Sequence, residues 1–379
     1  FASEPMEELA NKTGYLPLEL EEVELTDEDV ADAYTLEEQE QIGATYQAGV
    51  SSYESRYYYY QLSDSKKAVY DSMYYQCNQY LSTQQDATTY NSSYGRTDYI
   101  ECTGFSKDDL MEVVYLFTIS NPQFYFVRGT AAMTGTQGSR SFVALAIYAD
   151  YISGSARANY TAQFMNKVNN WLNTINAQGS EYKKIKAAHD IVCANVTYDN
   201  GSNIDKHQSS ATAVLTGNTV CAGYSQMFSL LCNAAGIETV CVTSPEHEWN
   251  EVYLYGGWYV VDCTWDDLDT SNSWDYTYFC KSESAIDEGY HEPEAYIVAY
   301  RPGCYVDYIG KVSSYNGNTF YREPDESIRC YNKNGALITN KFMFDGSYTY
   351  YMQADGSAMT DRLTYHPDGV HIIYFDTYG

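Results

Sequence analysis

Thr219-Val220-Cys221-Ala222-Gly223-Tyr224-Ser225 decides the fold when read with His247-Glu248-Trp249-Asn250-Glu251-Val252 and Trp258-Tyr259-Val260-Val261-Asp262. The first stretch is a helix start carrying a thiol. Tyr224, Phe228 and Leu231 then share a helical face, and Gly236 suits the position just past the helix end. The other two stretches belong to a set of three strands expected at 237–243, 248–254 and 258–264, the last two joined at Gly256-Gly257. A thiol, an imidazole and a carboxylate are the parts of a sulfur nucleophile, its general base and the group that orients the base.

Side chains on a strand alternate with period two. A two- or four-residue loop around Gly256-Gly257 makes paired positions sum to an odd number, so His247 and Asp262 point to one sheet face. A strict two-residue loop there pairs Asp262 with Glu251, about four residues from His247, so a direct contact calls for a longer connection or a bulge. The helix N-terminus and a nearby imidazole are both expected to lower the pKa of Cys221, and its backbone N–H would face a developing oxyanion.

The bulk composition narrows the function. A chain of 379 residues is expected to hold two or three domains. Apolar residues make up 44%, ample for a core, and 42 tyrosines stand against 13 phenylalanines, which suits wet, β-rich or carbohydrate-facing modules. With 51 acidic and 22 basic residues the formal charge is −29, which argues against nucleic acid and against direct contact with anionic lipid. No apolar run approaches the ~20 residues that span a bilayer, so membrane insertion is not expected. The chain starts at Phe1 without a charged-then-apolar leader and reads as a mature or trimmed segment. Ten cysteines occur without CxxC pairs, against a zinc ribbon or thioredoxin-type site, and Cys193 and Cys232 sit in apolar contexts as small buried hydrophobes.

Along the chain, residues 1–45 read as a solvated or loosely docked acidic lead-in. A helix is expected after Ser63, and a second one opens with the Ser106-x-x-Asp109 capping pattern and stops near Asn121-Pro122. The runs 124–127 and 142–147 read as strands, and 157–177 and 181–195 as helices. His207-Gln208-Ser209 falls in a polar loop. Asp266, Asp267 and Asp269 read as a solvated turn rather than a cation site. Beyond about 305, Gly335, Gly356 and Gly379 recur at a spacing near twenty, with Asp345-Gly346 and Asp368-Gly369 between them, which means a stacked hairpin array ending on a repeat boundary.

The string from about Tyr182 to His291 resembles the transglutaminase-like superfamily, the papain-type cysteine fold in Cys–His–Asp order. The matching pieces are Lys186-Ala187-Ala188-His189-Asp190, Tyr198-Asp199, the three stretches quoted above, Cys263-Thr264-Trp265-Asp266-Asp267 and Tyr278-Phe279-Cys280. The resemblance implies Cys221 as nucleophile, His247 as base and Asp262 as its orienter. Tyr198 and Gln208 are the candidates for a second oxyanion donor, and Trp249 and Trp265 for substrate contact. The chain departs from the family pattern at Glu248, where a small residue is usual, and at Cys263, where proline is usual. Residues 305–379 resemble cell-wall or glucan-binding repeats, without the tryptophan of the choline-binding type.

The expected fold is therefore α+β: a papain/transglutaminase-like core, its N-terminal-Cys helix packed on an antiparallel sheet, with a helical lead-in and C-terminal β-hairpin repeats. The expected organisation is an acidic arm (1–56), a helical or mixed lead-in (57–180), a catalytic core (181–304) and a repeat region (305–379). The expected function is a secreted or cell-wall-associated thiol acyl-transfer enzyme, a peptidase, amidase or protein-glutamine acyltransferase. Its substrate would be a protein or peptide, and 305–379 would meet a cell-wall or surface glycan. The alternative is a catalytically silent binding or adhesion module on the same fold. No cofactor or metal is expected, because His247-Glu248-Trp249-Asn250-Glu251 lacks the second histidine of a zinc helix.

Overall fold

Ser63 and Ser106 open two helices of the computed structural model, which describes residues 14–46, 51–199, 204–268, 272–286 and 289–379. Ser63 accepts a hydrogen bond from the Lys66 N–H at the start of Asp64–Ser82. Ser106 and Asp109 form both halves of the capping box that starts Lys107–Ser120. Each such cap stabilises its helix by about 1 kcal/mol. Past Pro122 the run Phe124-Tyr125-Phe126 is turn rather than the strand expected from its composition: Phe124 N–H bonds to Asn121 O and Val127 N–H to Phe124 O. Its rings pack on three helices instead, Phe124 on Phe117, Tyr125 on Phe164 and Phe126 on Tyr80. The strand begins only at Val127 and runs to Gln137, antiparallel to Arg140–Tyr148.

That hairpin is the centre of a six-stranded sheet. Residues of the acidic lead-in supply its edge, because Glu19–Glu22 pairs in parallel with Val127–Gln137, matching Leu20 to Ala132. Leu18 is buried beside it. The lead-in is thus docked along this stretch rather than solvated: Leu18 and Leu20 lie on one strand face toward the core, and on the other face Glu21 accepts from Tyr90 Oη (3.0 Å) and from Tyr94 Oη.

The second half carries the site. Helices Gly154–Asn176, Glu181–Asn195 and Cys221–Ala234 pack beside a four-stranded antiparallel sheet of order Phe279–Lys281, Gly257–Val261, Glu248–Leu254 and Thr239–Thr243. Thirteen residues of the Cys221 helix, Cys221 through Asn233, are buried, the mark of a helix enclosed on all sides. Gly223 permits this: a Cβ there would lie 2.0 Å from Thr219 Oγ1, so the first turn can close against the strand Asn218–Thr219. Asn250 Nδ2 donates to Ser225 O (3.0 Å), fixing helix to sheet.

Tyr255 (φ 48°) and Gly256 (φ 90°) make the tight turn between the two central strands. It falls one residue earlier than Gly256-Gly257, and Asn250 pairs with Val261. Continuing that register brings Asp262 opposite Trp249 instead of Glu251, two residues from His247 and on its face. No longer loop is needed. The third strand also stops at Val261, because Asp262 caps the short helix Cys263–Asp266.

One cluster of buried side chains extends from Leu18 to Ile309. A separate small cluster, including Phe320, Cys330, Met343 and Met352, joins the first C-terminal hairpins, and Phe375 of the last one stacks on Phe342 (6.4 Å between centroids). These are Gly310–Tyr315 with Asn318–Arg322 and Ile328–Tyr331, then Lys341–Phe344 with Thr349–Met352, and Arg362–Tyr365 with Ile372–Phe375. The fold is α+β. Among the described residues no helix is long and apolar enough to cross a membrane.

Candidate active site

Asp262 divides its two oxygens between backbone and imidazole. Oδ1 accepts from the Thr264 and Trp265 N–H groups (3.0 and 3.1 Å), the helix-capping duty its position suggests. Oδ2 accepts from His247 Nε2 at 2.5 Å and from His291 Nε2 at 2.8 Å. Burial opposes ionisation here, but the two imidazoles overcome it and hold the carboxyl well below the usual carboxylate range. A charged Asp262 can only accept, so His247 carries its proton on Nε2 and leaves the Nδ1 lone pair open. Among the described residues that buried Nδ1 has no hydrogen-bond partner. Burial lowers the His247 pKa against the pull of Asp262, so the ring is neutral and able to accept a proton.

Cys221 is fully buried at the first position of its helix. Its sulfur receives the backbone N–H groups of Glu248 and Ala222, which sets it one peptide unit from His247 along the strand. The expectation of a lowered thiol pKa is overturned. Burial, then the charges of Glu248 and Asp262, push it well above the ordinary thiol value, against those two N–H groups. Desolvation of an anion outweighs the helix end here.

Glu248 explains part of this. Its carboxylate is buried, accepts from Ser225 Oγ (2.6 Å) and Gln226 Nε2 (3.4 Å), and has its pKa raised by burial to about 7. Cys263, the other departure from the family pattern, is buried as the first residue of the Asp262-capped helix.

The remaining sequence candidates divide. Trp249 stacks on the His247 ring (5.9 Å between centroids, 18°), and Trp265 lies 5.6 Å from it. The buried Trp249 Nε1 has no hydrogen-bond partner among the described residues. Tyr198 pairs with Thr219 across a two-residue parallel bridge, and its hydroxyl takes the Cys221 backbone N–H. Gln208 lies buried just before the helix Ser210–Leu215 and holds the backbone of residues 14–16. Sequence reasoning missed His291, whose segment Tyr290-His291-Glu292-Pro293 shows no periodicity that would reveal a second imidazole on Asp262. A cleft of about 770 Å³ is lined in part by Ser244, Pro245, Glu246, Glu292 and Glu294, and so reaches the residue before His247.

The solvated turn expected at 266–269 is corrected for its first two acids. Asp266 accepts from Tyr278 N–H (2.8 Å) and from His189 Nε2 (3.0 Å), and Asp267 accepts from Tyr224 Oη (2.6 Å). Asp269 lies outside the described residues. Among the described residues three groups bring potential metal ligands within 4.8 Å: His189, Cys193 and Cys263; His247, Asp262 and His291; Glu251, Glu283 and Cys304. In the second, the 2.5 and 2.8 Å separations are hydrogen bonds. Ligands of one ion at ~2 Å stand roughly 3 Å or more apart, so that group does not fit a metal as it stands. All ten cysteines are buried free thiols.

Residues 169–263 match the family model of the Transglutaminase-like superfamily, which supports that superfamily for the segment holding Cys221, His247 and Asp262. The mouse kyphoscoliosis peptidase is 31% identical over 117 residues, 25% of this chain and 17% of that protein. The human kyphoscoliosis peptidase is 29% identical over 107 residues, 23% and 16% of the two chains. This chain therefore spans less than a fifth of the length of these relatives. Among solved structures, a TGase crystal structure aligns at TM-score 0.25 and 14% identity, covering 48% of this chain and 56% of that one. The periplasmic domain of TgpA from Pseudomonas aeruginosa aligns at TM-score 0.23 and 13% identity, covering 35% and 58%. At those scores the structural likenesses carry no argument.

Proposed function

We propose that Cys221, His247 and Asp262 form a thiol acyl-transfer site acting on peptide or protein amides, with hydrolysis favoured over cross-linking. The observation that carries this reading is the buried imidazole anchored through Nε2 to Asp262 with Nδ1 open, one peptide unit from a sulfur at a helix start. In the proposed reaction His247 Nδ1 takes the thiol proton as sulfur bonds to the amide carbon. The same proton leaves with the amine when the C–N bond breaks. Water or a second amine then attacks the thioester and releases the thiol. The Cys221 N–H is the candidate oxyanion donor, once the Tyr198 hydroxyl gives it up. A secreted or surface-attached setting, with the hairpins of 305–379 docking on a wall glycan, belongs to the same proposal. The exposed rings of Tyr348, Tyr365, Tyr374 and Tyr378 support it.

A peptide carrying an electrophilic ketone tests the chemistry. It should alkylate Cys221 in preference to the other nine cysteines, and His247→Ala should abolish the labelling. Label distributed over other cysteines, or indifferent to His247, would remove the reading. The silent binding module draws support from the closed Cys221. It would prevail if ligand binding were unchanged in Cys221→Ala and no labelling occurred.

A further inference from the structure

We infer that the channel occupied by Gly14, Tyr15 and Leu16 is a substrate subsite, in which Gln208 reads the backbone of an extended peptide and an aromatic side chain fills the recess beside Cys221. The inference rests on the proposed role of Cys221 and adds to it the class of acyl donor.

Gln208 uses both ends of its amide on this segment. Nε2 donates to Gly14 O (2.8 Å), and Oε1 accepts from Leu16 N–H (3.2 Å). Those two groups flank a single residue, so the amide does for one residue what a neighbouring strand does for a chain, and it reads no side chain. Gln208 is 3% exposed and its position is fixed on both sides. Ser209 caps the next helix, and Thr219 Oγ1, two residues before Cys221, donates to His207 O (2.9 Å). A buried carboxamide left without such partners is costly, which gives the site affinity for an extended backbone.

Tyr15 fills the recess between these bonds. Its hydroxyl meets that of Tyr115 (3.4 Å), and Tyr115 is hydrogen-bonded to Glu294, which lines the same cleft as Glu246. The turn after Gln208 leads from this segment to the thiol: Ser210 N–H donates to Gln226 Oε1 (3.3 Å), Gln226 Nε2 donates to Glu248 (3.4 Å), and the Glu248 N–H meets the Cys221 sulfur. Burial and then the charge of Glu248 raise the Tyr15 pKa, with a smaller contribution from Cys221. Leu16 and Pro17 by contrast lie exposed, so the ring is the part that enters the protein. The segment therefore stands where a substrate would stand, and it competes with one.

Two measurements on the full chain test this. Tyr15→Ala should raise the rate of Cys221 alkylation by iodoacetamide about tenfold, as expected when a self-docked occupant is weakened. A fluorescent peptide of residues 11–18 should bind Tyr15→Ala/Cys221→Ala, bind the Tyr15-containing chain far more weakly, and lose affinity in Gln208→Glu, which removes the donor to Gly14 O. Binding that survives Cys221→Ala and fails in Gln208→Glu upholds the subsite even if no amide is ever cleaved. Cleavage of peptides at equal rates with and without Tyr15, or alkylation unchanged by Tyr15→Ala, overturns the subsite and leaves the thiol chemistry standing.

Discussion

Two buried sulfur–imidazole groups are tied to the segment 262–266, and they differ in what the imidazole has left to give. At the first, His247 bonds to Asp262 through Nε2 and keeps Nδ1 without a partner among the described residues. At the second, His189 spends Nδ1 on Asp190 (3.1 Å) and Nε2 on Asp266 (3.0 Å), with Cys193 Sγ 3.8 Å from that same Nε2. Burial opposes charge at both. At the second it is overcome: the Cys263 and His189 contacts lower the Cys193 pKa to about 6, and the thiolate and carboxylates raise that of His189. At the first it wins, keeping Cys221 and His247 neutral. On the proposed reading, thiolate character does not mark the nucleophile. Cys193 holds the more anionic sulfur inside a saturated network, whereas the imidazole proposed as the base for Cys221 keeps one ring nitrogen open.

The largest expected effect breaks or upholds that contrast directly. Cys221→Ala should cost about 10³-fold or more in turnover, the scale of removing an acyl-transfer nucleophile, while Cys193→Ala should leave turnover within about a few-fold. Steady-state cleavage of fluorogenic peptides is the readout. The reverse pattern would make the His189 cluster the site and Cys221 a packing residue.

The carboxylates should separate the two clusters by stability. Asp262→Asn keeps the shape but loses the charge that receives two buried imidazoles, and an amide nitrogen cannot also serve the Thr264 and Trp265 N–H groups. Breaking such a buried network costs about 4 kcal/mol. Asp190→Asn, at a partly exposed carboxylate still bridged by Tyr276 and Trp274, should cost about 1 kcal/mol. Urea denaturation of both variants checks the order, and equal losses would erase the distinction.

Much of this was legible before any coordinates. The Cys221 helix, the parity that puts His247 and Asp262 on one face, both serine caps and the hairpin periodicity follow from local rules of spacing and turn chemistry. What escaped depends on tertiary context. The strand register hinged on whether the tight turn fell at Tyr255-Gly256 or one residue later, and Tyr255 tolerates a positive φ that its composition does not advertise. His291 reaches Asp262 from 29 residues downstream, beyond any periodic signal. The raised Cys221 pKa depends on total burial and on Glu248, which local sequence cannot weigh.

Glu248 provides the smallest and most pointed test, because it distinguishes the Cys221 group from its neighbour by pH. Burial raises its folded pKa from 4.5 to about 7. Between those values the folded state binds the extra proton, so the group's favourable contribution is complete below the unfolded pKa and is lost as pH rises through the folded one. A shift of that size corresponds to about 3 kcal/mol at most. Glu248→Gln mimics the protonated form and retains an acceptor for Ser225. It should therefore match the wild type in urea denaturation at about pH 4 and exceed its stability at about pH 8. Glu54, also raised to about 7 by burial, keeps part of the wild-type slope in the variant. Removing the Glu248 charge also removes one of the influences holding the Cys221 pKa up, so alkylation of Cys221 at neutral pH should quicken while Cys193 is unaffected. A variant that gains stability at high pH without altering Cys221 reactivity would show that Glu248 is a packing compromise rather than a brake on the thiol.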